Sequence, residues 1–392
     1  MSAAKPLHTP PLPRALSVEL HVRQPGLDVR AQFRAPPGRV CAIVGRQGAG
    51  KSALLQATAG LAPALSGRVS LGPDVLYDAN ARIDQPPHVR RLGWLDAQAH
   101  VFPHLSVRDN LLYGQRVLGR HWSPHGGPDA MSVARWAGLQ SLLDARAASL
   151  GAAQRVRVAL ARTLAAQPNA VLLDDVLGNV PEHEREALLE LLAEVPTRHK
   201  LPVVMVTPRM DEVIRMADDV VILHEGRMAS AGPVAQILSD VSLSTFLEGV
   251  HAGTVLEGEV TRHDIEWLLS EVDVGGQTVT VPAMLHSVGS KVRLKVRARD
   301  ISLHRDVPAD SSASNHLRGR ISQIMLAGEH GTYGAVGVEL ARELDSANLQ
   351  LKPGAPLWAL LTRKSIQQMG WVPGQPCIVG FKAMATMVSP WR

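Results

Sequence analysis

The chain has 392 residues, 45% of them hydrophobic, and a formal net charge of +5, which allows two or three domains with sizeable cores. Its two cysteines, Cys41 and Cys377, lie far apart, which excludes a disulfide scaffold and makes a reducing cytoplasm the expected compartment. No run approaches the roughly eighteen apolar residues of a membrane helix, and we expect no signal peptide. The mild positive charge is weak evidence for nucleic-acid binding, and we do not expect nucleic acid as a partner.

The chain begins with a proline-rich stretch, residues 1–15, which predicts a flexible tail. Two short strands follow from Leu16, separated by a turn at 25–26. An apolar run at 40–44 then predicts a buried strand, and a helical run at 53–59 follows.

A glycine-rich stretch that reads G-x-x-x-x-G-K-S joins this strand to this helix. Its residues are Gly45, Arg46, Gln47, Gly48, Ala49, Gly50, Lys51 and Ser52. The glycines let the backbone wrap closely around phosphate, so that N–H groups and the helix N-terminus face the anion. Lys51 would reach the β- and γ-phosphates, and the Ser52 hydroxyl would ligate Mg²⁺. The stretch therefore predicts a nucleotide site for ATP and Mg²⁺.

The remaining chain changes character near residue 250. Residues 104–168 have mostly helical periodicity, interrupted by a loop at 121–128. Alternating apolar strands and helices over 170–223, among them a helix at 182–194, predict a largely parallel α/β sheet. Residues 250–392 predict a β-rich region of small barrels. Its basic strand at 291–299 could bind an oxyanion or a polynucleotide, but a solvated outer strand face is favoured.

Several blocks follow the phosphate loop in a recognisable order. They are Arg90-Arg91-Leu92-Gly93-Trp94, Phe102-Pro103-His104, Arg157-Val158-Ala159-Leu160-Ala161-Arg162, Val171-Leu172-Leu173-Asp174-Asp175 and Asp211-Glu212. Together they resemble the ATP-binding subunit of ABC transporters across residues 16–245. The resemblance implies a P-loop nucleotide-binding domain with a helical subdomain at about 95–165.

Two blocks near the end of the chain narrow the resemblance. Residues 312–319 and Gly380-Phe381-Lys382-Ala383 are similar to the molybdate-binding Mop barrel, an OB-like TOBE-type extension, here at about 310–390. The nearest family is the molybdate-import ATP-binding proteins. The resemblance implies an oxyanion site for molybdate or tungstate at Ser312, Asn315 and Lys382.

The resemblance also implies partners and a location. Two such subunits would dimerise head to tail, each completing the other's ATP site. They would drive a membrane permease that a periplasmic solute-binding protein supplies, from the cytoplasmic, inner face of the cell membrane.

The hydrolytic residues that the family pattern would place in this chain are only partly present. Asp174 fits the aspartate that holds Mg²⁺, but Asp175 stands where a catalytic glutamate is usual, and Pro208 stands where a switch histidine is usual. A carboxylate one methylene shorter can misplace the attacking water, and a shift of about 1 Å can cost on the order of 10²-fold in rate. Proline offers neither a donor nor a proton shuttle.

Other family positions differ as well. The signature motif has become Leu150-Gly151-Ala152-Ala153-Gln154, without its serine and two of its glycines. The position of the family's usual glutamine is occupied by Ala97, with Gln98 adjacent. Residues 178–181 replace a Ser-Leu-Asp type loop. In the barrel, Ser314 occupies a position where arginine is common.

The sequence thus predicts Mg-ATP binding without efficient hydrolysis, with Asp175 as a weak catalytic residue. Whether turnover is useful stays open at this stage. The alternatives are a non-catalytic ATP- and oxyanion-binding regulatory relative, or an importer ATPase for another solute such as sulfate, a polyamine or a sugar.

Overall fold

The computed structural model describes residues 14–118, 129–238, 253–284, 286–326, 333–341 and 356–390. The predicted tail and the loop predicted at 121–128 lie almost wholly outside these ranges, as does the predicted domain boundary near 250. The chain divides into two compact units, the first formed by residues 1–212 and 216–231, the second by residues 213–215 and 232–392.

The first unit is built on an eleven-stranded sheet. Its strands are β1 (Leu16–Gln24), β2 (Leu27–Ala35), β3 (Val40–Val44), β4 (Ser66–Leu71), β5 (Asp74–Asp78), β6 (Ile83–Asp84), β7 (Leu92–Asp96), β8 (Ala170–Asp174), β9 (Val203–Val206), β10 (Asp219–His224) and β11 (Arg227–Pro233). Their spatial order is β6-β5-β4-β1-β2-β11-β10-β3-β9-β8-β7.

Five of these strands form the parallel part of the sheet, in the order β10-β3-β9-β8-β7. The unbroken apolar runs of β3, β8 and β9 are buried on both faces, which explains why they show no alternation. In contrast β1 and β2 pair antiparallel and alternate buried and more exposed residues. The carboxyl ends of β3, β7, β8 and β9 therefore lie along one edge, where the loops that follow them meet.

The helices fill the connections between these strands. They are α1 (Lys51–Ala59), α2 (Pro87–Arg90), α3 (Val107–Leu118), α4 (Ala130–Trp136), α5 (Ala152–Ala165), α6 (Glu182–His199) and α7 (Met210–Met216). Helix α6 is longer than predicted: it extends to His199 and includes Pro196. In the described part of the chain, no helix combines the length and apolarity needed to cross a membrane.

The second unit consists of two curled antiparallel sheets that share one apolar core. Its elements are α8 (Val234–Leu238), β12 (Gly253–Asp264), β13 (Leu269–Val274), β14 (Gln277–Pro282), β15 (Lys291–Arg297), β16 (Ser302–His304), β17 (Asn315–Leu326), β18 (Tyr333–Leu340), β19 (Leu357–Thr362), α9 (Arg363–Met369), β20 (Pro376–Phe381) and β21 (Thr386–Pro390). The sheet orders are β14-β13-β12-β15-β21 and β16-β20-β17-β18-β19.

The basic strand β15 is an exception to the sequence reading. Arg293 and Lys295 are only 6% and 5% exposed, so the favoured prediction of a solvated outer face is wrong at these positions. Strand β15 lies inside its sheet between β12 and β21, and Arg293 Nε lies 3.5 Å from Glu257 Oε1 on β12. The polar ends of these side chains are thus engaged within the fold.

Candidate functional site

The phosphate loop leaves the end of β3 in a backbone conformation that requires glycine. Gly45 has φ 148°, and a Cβ built on it would lie 2.0 Å from the carbonyl oxygen of Leu223 on β10. Gly50 has φ 95°, and its Cβ would lie 2.2 Å from Val29 Cγ2. These two close approaches hold the loop against the sheet.

Helix α1 begins directly after Gly50, and no side chain caps its first N–H groups. Such uncapped amides are the ordinary partners of a phosphate at a helix N-terminus. Lys51 Nζ donates to the carbonyl oxygens of Gly45 and Arg46 at 2.8 and 2.9 Å, which keeps its ammonium group across the loop. The loop thus places the uncapped amides of α1 and the Lys51 ammonium group next to each other in the chain.

Ser52 and Asp174 meet at the edge of the parallel strands. Ser52 Oγ donates to Asp174 Oδ1 at 2.8 Å, although the two residues are 122 positions apart. A hydroxyl oxygen and a carboxylate oxygen side by side are suitable ligands for Mg²⁺, which favours oxygen and keeps several waters. The donor set beside the phosphate loop therefore fits a magnesium nucleotide.

Burial and neighbouring charge act on the two adjacent aspartates. The pKa of Asp174 is raised, chiefly by burial and further by the carboxylate of Asp96, which the sheet register places opposite it on β7. The pKa of Asp175 is raised by burial and by Asp174, against opposing effects of Arg185 and Lys51. A bound cation would favour the charged form of both groups.

Asp175 itself has an unusual backbone conformation, with φ 50°. Its N–H donates to Val206 O at 2.8 Å, and its own carbonyl accepts from Gly178 N at 2.8 Å. A Cβ on Gly178 would lie 2.7 Å from Asp175 Oδ2, so the carboxylate is folded against its own turn. The shorter carboxylate at this position is thus accommodated by a glycine three residues later.

The loop after β9 contains the exposed Pro208 and is tied to the loop after β8 by ion pairs. Arg209 donates to both oxygens of Glu182, at 3.0 and 2.9 Å, and to Asp211 Oδ2 at 2.9 Å. Glu182 is the first residue of α6, immediately after the 178–181 loop. This bidentate arrangement fixes both distance and orientation between the two loops.

A more deeply buried pair lies beneath this bridge. Arg185 Nη1 contacts Glu212 Oε1 at 3.0 Å, and the side chain of Glu212 is 5% exposed. Thr207 Oγ1 donates to the second oxygen of Glu212 at 2.6 Å. We call Glu182, Arg185, Thr207, Arg209, Asp211 and Glu212 the loop bridge. Burial raises the pKa of Glu212, and the contacts with Thr207 and Arg185 oppose that effect.

The signature segment forms the N-terminus of α5. Gly151 is the residue before the helix, with an ordinary φ of −67°, and its N–H donates to Gln154 Oε1 at 3.1 Å. The nearest atom to a Cβ on Gly151 would be 3.9 Å away, so a serine fits there without strain. Ala153 is buried, which places its methyl group in the fold at one of the two altered glycine positions.

The glutamine position is occupied by the short side chain of Ala97. Its carbonyl oxygen accepts from Asn179 Nδ2 at 2.8 Å, which ties it to the 178–181 loop. Gln98 is exposed, and its N–H donates to Asp96 Oδ1 at 3.0 Å. Asp96 also contacts His100 Nε2 at 3.1 Å.

The three residues predicted to hold an oxyanion have different environments. Ser312 and Lys382 are exposed, whereas Asn315 is 1% exposed. The Asn315 amide accepts from Thr280 N at 2.7 Å and donates to Thr280 O at 2.9 Å, which joins β17 to β14. Asn315 thus has a structural role in the described chain, and the oxyanion site stays a prediction.

Known proteins are similar to this chain in sequence and in fold. A family model described as ABC transporter matches residues 29–178. The molybdenum import ATP-binding protein ModC of Rhodospirillum rubrum is 32% identical over 375 residues, covering 95% of this chain and 97% of the relative. ModC 2 of Azotobacter vinelandii is 32% identical over 377 residues, covering 95% and 99%.

The chain belongs to the molybdenum import ATP-binding protein family. This membership implies binding of ATP and Mg²⁺ by the first unit. An ATP-binding cassette of an ABC transporter, solved in its ADP conformation, matches with a TM-score of 0.50 at 20% identity, over 60% of this chain and 99% of that one. At this identity the match concerns the fold alone.

Two features of this family member could not be predicted from the sequence. Asp96 lies opposite Asp174 because of the β7–β8 register, and Arg209 bridges to Glu182 across 27 positions. The only sequence signal was that Asp96 and Asp174 each end an apolar run. No motif pairs Arg209 with Glu182.

Proposed function

We propose that this chain is the ATP-binding subunit of a molybdate-type ABC importer that binds Mg-ATP but hydrolyses it slowly. In this role it would dimerise head to tail and drive a membrane permease supplied by a periplasmic solute-binding protein. It would act peripherally at the cytoplasmic face of the membrane. Family membership supports the importer role, and the residues around Asp175 support slow hydrolysis.

Binding would depend on residues that are already in place. Lys51 and the amides of α1 would hold the phosphates, and Ser52 and Asp174 would hold Mg²⁺. When bound, Mg²⁺ would neutralise charge on the β- and γ-phosphates. Since Lys51 is held across the loop by two carbonyl oxygens, little reorganisation of the backbone is required.

Hydrolysis would depend on groups that are shortened or replaced. The observation that carries the proposal is the position of the Asp175 carboxylate against Gly178, within its own turn. From there it would orient or deprotonate the attacking water poorly, because a general base must lie within hydrogen-bond reach of the proton it accepts. Pro208 offers no side-chain donor, and Gly151 offers no hydroxyl to the partner subunit's nucleotide.

Pairing with an intact subunit would not restore one complete site. In a head-to-tail dimer, this chain would contribute Asp175 and Pro208 to one site and the segment 150–154 to the other. Both composite sites would therefore carry replaced groups.

The test measures ATP binding and steady-state phosphate release on the same sample, alone and with the permease. We expect Mg-dependent ATP binding that Lys51→Ala abolishes, with turnover close to that of Lys51→Ala. Turnover comparable with intact transporter ATPases would contradict slow hydrolysis. Absence of ATP binding by the wild-type chain would contradict the nucleotide site itself.

A non-catalytic regulatory role is the second candidate, and the loop bridge favours it. The bridge joins the loops after β8 and β9 within one subunit, which opposes separate movement of those loops. Transport assays with the permease distinguish the two roles: ATP-dependent uptake of molybdate supports the importer, and its absence despite ATP binding supports the regulator.

The second unit can be tested for the transported solute class. We propose that it retains a weak molybdate or tungstate site around Ser312 and Lys382, with Asn315 holding the strands together. Calorimetric titration with molybdate, tungstate and sulfate would compare them. Tighter binding of sulfate would favour a sulfate importer instead.

A further inference from the structure

A surface pocket in the second unit has a basic lining. It has a volume of about 430 Å³ and lies on the β16-β20-β17-β18-β19 sheet. Its lining includes Arg305, Arg318, Gly319, Arg320, Glu339 and Cys377. We call it the arginine pocket. Ser312, Asn315 and Lys382 do not line it.

Strand geometry brings the arginines together. Arg318 and Arg320 are two apart on β17, so both side chains lie on the exposed face of this strand, with Gly319 between them. Strand β20 pairs with them through Ile378 and Pro376. Gly319 itself faces the core, where a Cβ would lie 2.5 Å from Val338 Cγ1, so no side chain fits between the two arginines on that face.

Two of the three guanidinium groups are held in place by backbone carbonyl oxygens. Arg305 Nη2 donates to Met369 O at 2.6 Å, and its guanidinium lies 5.7 Å from the ring centroid of Trp371. Arg320 Nη1 donates to Gly374 O. Among the described residues, no carboxylate lies within ion-pair distance of Arg305, Arg318 or Arg320.

Among the described residues, no carboxylate therefore neutralises the three guanidiniums by an ion pair. Three guanidiniums and the Glu339 carboxylate leave a formal charge of +2. Burial raises the pKa of the Cys377 thiol to about 11, so this lining group is uncharged at neutral pH. Arg320 and Glu339 are register partners on β17 and β18, yet they form no ion pair within 4.0 Å.

These features select one class of ligand. A phosphate monoester carries about −1.5 to −2 charges near neutral pH, which matches the lining better than one carboxylate does. Planar guanidiniums bind phosphate oxygens in bidentate fashion. Glu339 would repel a continuous polyanion but accept a hydrogen bond from an ammonium or hydroxyl group. The volume lies at the lower end of the range for small-molecule sites.

We propose that the arginine pocket binds a small phosphate monoester that also carries an ammonium or hydroxyl group. Arg305, Arg318 and Arg320 would hold the phosphate, and Glu339 would accept the hydrogen bond from the second group. This site would couple the second unit to a phosphorylated metabolite, independently of ATP in the first unit.

The test is calorimetric titration of the full chain with inorganic phosphate and with O-phosphoethanolamine. All samples carry Lys51→Ala, so that phosphate does not occupy the nucleotide loop. We expect sub-millimolar binding of O-phosphoethanolamine, weakened at least about tenfold by Arg318→Gln, since a charged hydrogen bond is lost. Arg318 is exposed and only its backbone bonds to Gln277, so this variant should fold. Arg262→Gln, an exposed arginine of β12 outside the pocket, is the matched control.

A second substitution tests the assignment of Glu339. Glu339→Gln should strengthen binding of inorganic phosphate, because repulsion is removed, and weaken binding of O-phosphoethanolamine, because the ammonium loses its partner. The same direction of change for both probes would overturn the ligand class, as would equal or tighter binding of acetate than of phosphate. Three results would overturn the assignment of the pocket as a binding site. They are no binding of O-phosphoethanolamine, equal weakening of its binding by Arg262→Gln, and weakening by Lys382→Gln but not by Arg318→Gln.

Discussion

Two loops at the same edge of the first unit's sheet, after β3 and after β8, differ in how many of their functional groups are retained. The loop after β3 has Gly45 and Gly50 where a Cβ would clash, and Lys51 and Ser52 lie beside them. The loop after β8 begins with Asp174 in place for Mg²⁺, but the next carboxylate folds against Gly178 and the following residues are bridged to the loop after β9. Binding and hydrolysis therefore rest on separate groups, and one can be lost without the other.

The largest expected effect comes from a substitution in the phosphate loop, which is needed for ATP binding. Gly45→Ala would place a methyl group 2.0 Å from Leu223 O, which the packed sheet cannot relieve. We expect a loss of about 3 kcal/mol in the free energy of unfolding and loss of ATP binding. Urea unfolding and ATP titration measure the two effects.

Gly48→Ala is the control for this substitution. Gly48 also has a positive φ, 81°, but no atom lies within 4 Å of its built Cβ. We expect a cost of only about 1 kcal/mol, from the backbone conformation alone. Equal destabilisation by the two variants would contradict the proposed close approach at Gly45.

Disrupting the buried part of the loop bridge should also lower the free energy of unfolding, but it should leave ATP binding nearly unchanged. Arg185→Ala removes the closer of two guanidiniums from the buried Glu212 carboxylate and leaves Arg209 Nε at 3.6 Å, which should cost about 2 kcal/mol of unfolding free energy. ATP affinity should stay within about threefold, because neither residue belongs to the phosphate loop. Arg209→Ala removes ion pairs to Glu182, which is 71% exposed, and to Asp211, together with the longer 3.6 Å contact to Glu212, and should cost about 1 kcal/mol or less because these pairs are largely solvated. The reverse order of these two losses would show that the outer pair is the more important one.

Restoring the family's usual residues at the hydrolytic positions should increase ATP turnover. We expect the triple variant Asp175→Glu, Pro208→His and Gly151→Ser to raise ATP turnover on the order of 10²-fold, since a shift of about 1 Å in a catalytic group has that cost. Gly151→Ser meets no steric obstacle, and its hydroxyl would face the partner subunit's nucleotide.

The matched variant for this experiment keeps Gly151→Ser and Pro208→His but retains Asp175. It should show much less turnover than the triple variant. Unchanged turnover in the triple variant, with normal ATP binding, would show that the loop bridge or another feature limits hydrolysis.

The smallest expected effect concerns pH. The raised pKa of Asp174 means that the folded state binds its proton more tightly than the unfolded state does. Asp174 therefore lowers stability as pH rises from about 4, the pKa of an unfolded aspartate, through the folded pKa. Asp174→Asn should gain stability relative to wild type over this window and lose Mg-dependence of ATP binding. Chemical unfolding at pH 4 and pH 7 without nucleotide measures the difference, and a constant difference between the two pH values would contradict the raised pKa.

Much of the first unit could be predicted because its signals are local. The apolar runs that became β3, β8 and β9 are buried on both faces, and such runs between helices indicate a parallel sheet. Predicted element ends were less accurate. Helix α6 continues past its predicted end at 194 and through Pro196 to His199.

The second unit was harder to predict because its polar groups are assigned by pairing between strands. The alternation of basic and apolar residues in β15 suggested one solvent-exposed face, yet Arg293 and Lys295 are buried. Asn315 belongs to a binding motif by resemblance, yet it joins β17 to β14 through Thr280. Burial and hydrogen bonding of such residues depend on which segment packs next to them, and a single strand does not contain that information.

The sequence by itself determined the phosphate loop, the family resemblance and the replacement of Glu, His and Ser at the hydrolytic positions. These are properties of residue types at short spacings, and the glycine requirement arises from backbone conformation. Only the tertiary structure decided that Asp96 lies opposite Asp174, that Arg209 bridges to Glu182, and that three arginines line one pocket with Glu339. Those contacts join residues far apart in the chain, because sheet register and strand order bring them together.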